Sequence, residues 1–110
     1  LVLDVTRLEA DIAVSDLLIT GEGRLDSQTA MGKAPAGAAR LAAKHNVRCI
    51  AFTGSVGNGA TACHDIGIDA YFPILRRICT LDEAMNPDVA AANLADSVEE
   101  VFRLIRAVRQ

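Results

Sequence analysis

Two short apolar runs, Leu17-Leu18-Ile19 and the stretch from Val47 to Phe52, limit what this chain can become. Each passes directly into a polar segment bearing glycine: Thr20-Gly21-Glu22-Gly23 after the first, Thr53-Gly54-Ser55 after the second. Apolar runs of this length closed by glycine read as strands covered on both faces, the pattern of a parallel sheet. A helical pattern lies between them. Pro35 suits a first helical turn, Ala36, Ala38, Ala39, Leu41, Ala42 and Ala43 supply a small-residue helix, and Lys44, His45 and Asn46 end it with cations near the negative end of the dipole. Strand, helix and strand over short connections imply parallel pairing through a right-handed crossover.

The remaining segments extend that plan. Leu1, Val5, Leu8 and Ile12 have helical spacing, and the pattern is already under way at residue 1 without a capping residue, as expected of a cut chain. After Gly57 and Gly59 a short helix is expected to stop at Gly67, and Ala70 to Leu75 reads as a third strand. Thr80 and Glu83 have capping-box spacing, and Asn86-Pro87 reads as an N-cap followed by proline at the first helical position. Leu94, Val98, Val101, Phe102, Ile105 and Val108 form the apolar stripe of a final docked helix. The fold class is therefore α/β: an open, mainly parallel sheet of about three strands flanked by helices on both faces, with residues 1–110 forming one unit. Ligands of such sheets gather beyond the carboxyl ends of the strands, where both glycine-bearing segments are expected as loops.

Charge and cysteine content narrow the partners. Fourteen acidic against eleven basic residues give a net charge of -3 with no charged block, which points to small solutes rather than nucleic acid or a membrane surface. Cys49, Cys63 and Cys79 are odd in number and lack C-x-x-C spacing, so a disulfide framework or zinc site is not indicated and a cytoplasmic setting is expected. No apolar run has the length of a membrane span.

The polar stretch after the first run matches no standard phosphate loop. Asp26 stands where the dinucleotide fingerprint needs its third glycine, and Ser27 and Ala34 replace the first glycine and the metal-binding hydroxyl of a P-loop around Gly32-Lys33. What remains is a dense polar set of Glu22, Arg24, Asp26, Ser27, Gln28, Thr29 and Lys33, and a solvated turn capped by Asp26 or Ser27 would also explain it.

The longer run DLLITGEGRLDSQTAMGKAP closely resembles a segment of the glycerate kinase family, through the core G-E-G-R-x-D-x-Q-T-x-x-G-K. The later segments AFTGSVGN, GIDAYFPI and TLDEAM resemble the same family in the same order. The resemblance implies a C-terminal segment of a larger kinase with two α/β domains, a Rossmann-like part, and an active site in the cleft between the domains. It implies transfer of the γ-phosphate of ATP to a hydroxyl of D-glycerate, 2-phosphoglycerate being the favoured product, with the remainder of the kinase chain as a partner and no activity in this segment alone.

Phosphoryl transfer asks a protein for positioning, charge neutralisation and an oriented hydroxyl. Under that resemblance Gly21, Gly23 and Gly32 can admit an anion to backbone amides, Lys33 neutralises phosphate, and Arg24 grips a carboxylate or phosphate through two hydrogen bonds. Asp26 orients or deprotonates the hydroxyl and Glu22 holds Mg²⁺ directly or through water, or the two exchange roles. Ser27, Gln28 and Thr29 contact substrate or phosphate, although Gln28 and Thr29 equally suit helix capping. Thr53, Gly54 and Ser55 contact ligand or form a plain connecting loop. His45 reads as a helix-end charge and His64 lacks a second ligand or nucleophile nearby, while the cysteines read as small buried residues. The alternative is a non-catalytic anion-binding or oligomerisation module of the same fold. An unpaired sheet edge further predicts self-association.

Overall fold

Ala36, Ala39 and Ala42 recur every third residue and are fully buried, which makes one face of their helix nearly flat. That helix, α2 (Ala34–Lys44), can therefore lie close against a sheet. The computed structural model describes residues 5–32 and 34–109. Its sheet contains β1 (Leu17–Leu25), β2 (Arg48–Val56) and β3 (Ala70–Pro73), ordered β1-β2-β3 and parallel throughout. Helix α1 (Val5–Ala13) packs on α2, and Ile12 reaches the core beside Leu25, Ala39, Ala42, Cys49, Ala51, Cys63 and Ile68.

The strands are longer than their apolar runs. Gly21, Glu22, Gly23 and Arg24 are strand residues rather than a loop, with Gly21 opposite Phe52, Glu22 opposite Thr53 and Arg24 opposite Ser55. Thr53-Gly54-Ser55 likewise lies within β2. Glycine signals a turn locally, but here it permits close backbone approach: a β-carbon on Gly54 would stand 2.7 Å from the Gly23 carbonyl oxygen. The third strand ends earlier than expected, at Pro73, with one further bond from the Ile74 N–H to the Thr53 carbonyl at 2.9 Å.

Beyond β2 a 3-10 segment, Ala60–Ile66, replaces the expected short helix and ends at Gly67, which has the anticipated left-handed conformation (φ 109°). Further on, Thr80 accepts a hydrogen bond from the Glu83 N–H at 3.2 Å and starts α3 (Leu81–Met85). Asn86 Oδ1 accepts from the N–H groups of Asp88 and Val89 and starts α4 (Pro87–Val108). The final helix meets the rest of the protein through buried Ser97 and Val101, beside a groove shared with Phe72, Pro73 and Arg76. Half of its expected apolar stripe is uncovered, since Leu94, Phe102 and Val108 are exposed. Among the described residues no helix is long and apolar enough to cross a membrane. The expected helix start at Leu1 lies outside the described residues.

Candidate active site

Parallel pairing places corresponding residues of β1 and β2 on the same sheet face, so Glu22 and Arg24 share a face with Thr53 and Ser55 at the carboxyl edge. Thr53 is only 1% exposed, and its hydroxyl donates to the Ser55 carbonyl at 2.7 Å. It stiffens the wall behind the edge. Glu22 is half-buried and has no hydrogen bond or ion pair among the described residues, a carboxylate left open toward solvent or a cation. Gly21 and Gly23 present open backbone, since a β-carbon at either would meet no atom within 4 Å.

The chain turns sharply after Leu25. Asp26 Oδ1 accepts from the Gln28 N–H at 2.9 Å, and Thr29 Oγ1 accepts from the Asp26 N–H at 3.1 Å. These reciprocal bonds lock residues 26–29 and lead into a single 3-10 turn, Thr29–Met31. Asp26 Oδ2 also lies 3.3 Å from Arg24 Nε. Arg24, Asp26, Ser27 and Gln28 thus come together at one corner, with Gln28 and Ser27 exposed. Of the capping roles open to this stretch, Asp26 has an observed bond, from the Gln28 N–H; the Thr29 hydroxyl bonds back to the Asp26 N–H instead, and Gln28 makes no side-chain cap. Gly32 follows in extended conformation, and Lys33 lies outside the described residues.

A second turn, Gly57 to Gly59, closes on this corner. Gly57 N–H donates to the Leu25 carbonyl at 2.6 Å and Ser27 N–H donates to the Asn58 carbonyl at 3.1 Å. Gly59 is left-handed (φ 79°), and a β-carbon there would overlap Ser27 Cβ at 2.7 Å. In the sequence alone these glycines read only as punctuation before a helix. The spacing V-G-N-G after a buried strand was the available signal, but its partner lies about thirty residues earlier, beyond any local pattern.

Two cysteines and both histidines outside this corner are buried or already partnered. Burial, reinforced by the charge of Asp69, pushes the Cys49 thiol up to about 11, and burial followed by the charge of Asp26 raises Cys63. His45 Nε2 lies 2.9 Å from Glu9 Oε1 and His64 Nδ1 lies 2.9 Å from the Ile68 carbonyl oxygen. No cluster of three or more His, Cys, Asp or Glu side chains with metal-holding geometry occurs among the described residues. Mg²⁺ does not need one, because it is commonly held by one or two carboxylates together with water and substrate phosphates. The open carboxylate of Glu22 fits such a site.

A sequence model described as the glycerate kinase family matches residues 1–106. This chain belongs to the glycerate kinase family. The glycerate kinase of Halalkalibacterium halodurans is 44% identical over 100 residues, covering 86% of this chain and 26% of that protein. The glycerate 2-kinase of Escherichia coli is 44% identical over 84 residues, covering 76% of the chain and 22% of its own length. A solved structure from Salmonella typhimurium LT2, assigned as a glycerate kinase 2, superposes with a TM-score of 0.68 at 36% identity over 97% of this chain and 25% of that one. The chain thus spans about a quarter of the length of the glycerate kinases it matches.

Proposed function

We propose that the protein containing this chain transfers the γ-phosphate of ATP to D-glycerate, and that the corner formed by Arg24 and Asp26, with Glu22 on the adjoining sheet face, is part of its active site. One observation carries this reading: the family core motif runs to the carboxyl edge of a parallel sheet, where ligands of such folds bind, with Glu22 and Arg24 on one sheet face and Asp26 against Arg24.

The chemistry is a displacement at phosphorus. A glycerate hydroxyl oxygen forms a bond to the γ-phosphorus, the bond to the bridging oxygen of ADP breaks, and the hydroxyl proton passes to a base. Asp26 is that base. Each of its oxygens already has one neighbour, Gln28 N–H or Arg24, but an ionised carboxylate has acceptor capacity for more than two donors. Arg24 grips an oxyanion of either substrate, while Lys33 neutralises phosphate charge. Mg²⁺, held by Glu22 directly or through water, supplies further charge neutralisation when bound. Ser27, Gln28 and the open backbone at Gly21 and Gly23 line the approach.

The name of the Escherichia coli relative, glycerate 2-kinase, favours the 2-phosphate as product. Phosphorus NMR of the products made by the intact kinase from D-glycerate and ATP tests both levels. Formation of 2-phosphoglycerate is expected; 3-phosphoglycerate alone would overturn the regiochemistry, and no phosphoglycerate would overturn the assignment.

A further inference from the structure

An arginine on a strand edge ordinarily samples many rotamers, and Arg24 is 66% exposed. Its ion pair with Asp26, at 3.3 Å and open to solvent, contributes little by itself to holding one geometry. The position opposite it is therefore informative. A β-carbon on Gly57 would stand 2.7 Å from one terminal nitrogen of Arg24, 3.0 Å from Nε and 3.2 Å from Cζ. The guanidinium lies against the bare backbone of Gly57, in space that any other residue would fill.

Gly57 is not needed there for its own backbone. Positive φ among the described glycines occurs at Gly59 and Gly67, so residue 57 has a conformation that alanine can adopt. The turn is also fixed relative to β1, through Gly57 N–H to Leu25 and Ser27 N–H to Asn58. An added methyl group would meet the far end of a flexible side chain and move it, at little cost to the fold.

We propose that Gly57 is a positioning residue for Arg24: its missing side chain leaves the slot in which the guanidinium rests, with Asp26 holding Nε and the terminal amino groups presented to an oxyanion. A guanidinium oriented beforehand loses less freedom when it binds a carboxylate or phosphate through two donors. The oxyanion is either the glycerate carboxylate or an ATP phosphate, so the inference rests on the phosphotransfer reading for its ligand but not for its geometry.

The test uses the intact kinase with Gly57→Ala, Arg24→Ala and both together. Gly57→Ala is expected to raise the KM of one substrate by about tenfold, as for loss of a charge-assisted contact, and to leave the melting temperature within about 2 °C. The double variant should be no worse than Arg24→Ala, because the glycine acts through the arginine. The substrate whose KM rises identifies the oxyanion: glycerate for the carboxylate, ATP for the phosphate. Multiplying effects in the double variant, or an unchanged KM in Gly57→Ala, would overturn the proposal. Independently of turnover, the Nε–H resonance of Arg24, assigned by its disappearance in Arg24→Lys, should shift in Gly57→Ala. A shift in a kinase that makes no phosphoglycerate would support the positioning role while removing the phosphotransfer reading; an unshifted resonance would overturn the positioning role whatever the activity.

Discussion

Gly67 packs directly against the carbonyl group of Ala39, so that α2 and the end of the 3-10 segment meet with no side chain between them. A β-carbon at 67 would overlap that carbonyl, and the φ of 109° is itself unfavourable for any residue but glycine. Gly67→Ala is expected to destabilise the protein by about 1–3 kcal/mol from conformation alone, with the overlap adding to it. Gly37 is the control. It lies inside α2 with nothing near its β-position, so Gly37→Ala should stabilise by about 0.5–1 kcal/mol. Urea denaturation of the intact kinase and both variants checks the signs; a stable Gly67→Ala protein would show that the contact with Ala39 can relax.

Gly67 also marks what could be read without coordinates. Its role as a stop was legible, as were the caps at Thr80 and Asn86, because each depends on neighbours within a few residues. The strand, helix and strand order was legible for the same reason: apolar runs and alanine spacing are local signals. The strand ends were not. Gly21, Gly23 and Gly54 look like turn residues from either side, and only the ladder between β1 and β2, set by residues about thirty apart, keeps them extended. The site divided along the same line. Arg24 and Asp26 were visible as charged residues in a motif, whereas Gly57 has no chemistry of its own and acquires meaning only from the arginine lying on it.

Glu9 ties α1 to the end of α2. Its Oε1 lies 2.8 Å from Lys44 Nζ and 2.9 Å from His45 Nε2. Hydrogen bonding to Lys44 first, and then to His45, lowers the Glu9 carboxyl from its ordinary value of 4.5. A carboxyl depressed in the folded state contributes stability that is fully present above its unfolded value and is lost as pH falls through the folded one. The stability difference between wild type and Glu9→Gln should therefore fade as pH falls through and below the ordinary carboxyl range. Melting temperatures of both proteins across pH 3 to 5 decide it. A difference that grows as pH falls from 5 to 3 would have the wrong sign for this contact.

The three cysteines should differ in reactivity. Alkylation needs the thiolate and access to it, and Cys49 and Cys63 are buried with their thiols raised by that burial. Cys79 is partly exposed. Iodoacetamide at pH 8 should modify Cys79 of the native protein first, with Cys49 and Cys63 following only on unfolding, as read by peptide mass spectrometry over time. Early labelling at Cys49 would mean that β2 opens far more often than its buried position implies.

In the proposed reaction Asp26 joins two functions that a variant can separate. Its Oδ1 organises the turn through Gln28 N–H, a bond that the amide oxygen of asparagine can also accept. Asp26→Asn therefore keeps the turn and loses the base, and turnover by the intact kinase should fall roughly a hundredfold with little change in melting temperature. Lys33→Ala should do the same through loss of charge neutralisation. Near-normal turnover in either folded variant would remove that residue from the reaction.

This chain, expressed by itself, should show no glycerate kinase activity. In-line transfer between two substrates requires both to be held and water to be excluded, which takes walls on opposing sides. The described residues provide one wall. Glu22 and Arg24 lie on one sheet face toward the carboxyl edge with Asp26 beside Arg24, Gly21 and Gly23 have no neighbour over their β-positions, and the chain spans about a quarter of the length of the glycerate kinases it matches. Its apolar surface also lacks cover: Ile19 and Val56 are exposed on the sheet, as are Phe102, Leu104 and Val108 on α4. Edge strand β1 and this uncovered surface favour association between copies. Light scattering should therefore report a mass above that of one chain, and an ATP-dependent assay free of other kinases should show no phosphoglycerate. Weak binding of an ATP analogue without turnover fits a single wall that retains its oxyanion contacts. Robust turnover by a monodisperse monomer would mean that these residues alone enclose both substrates, and the one-wall account would fail.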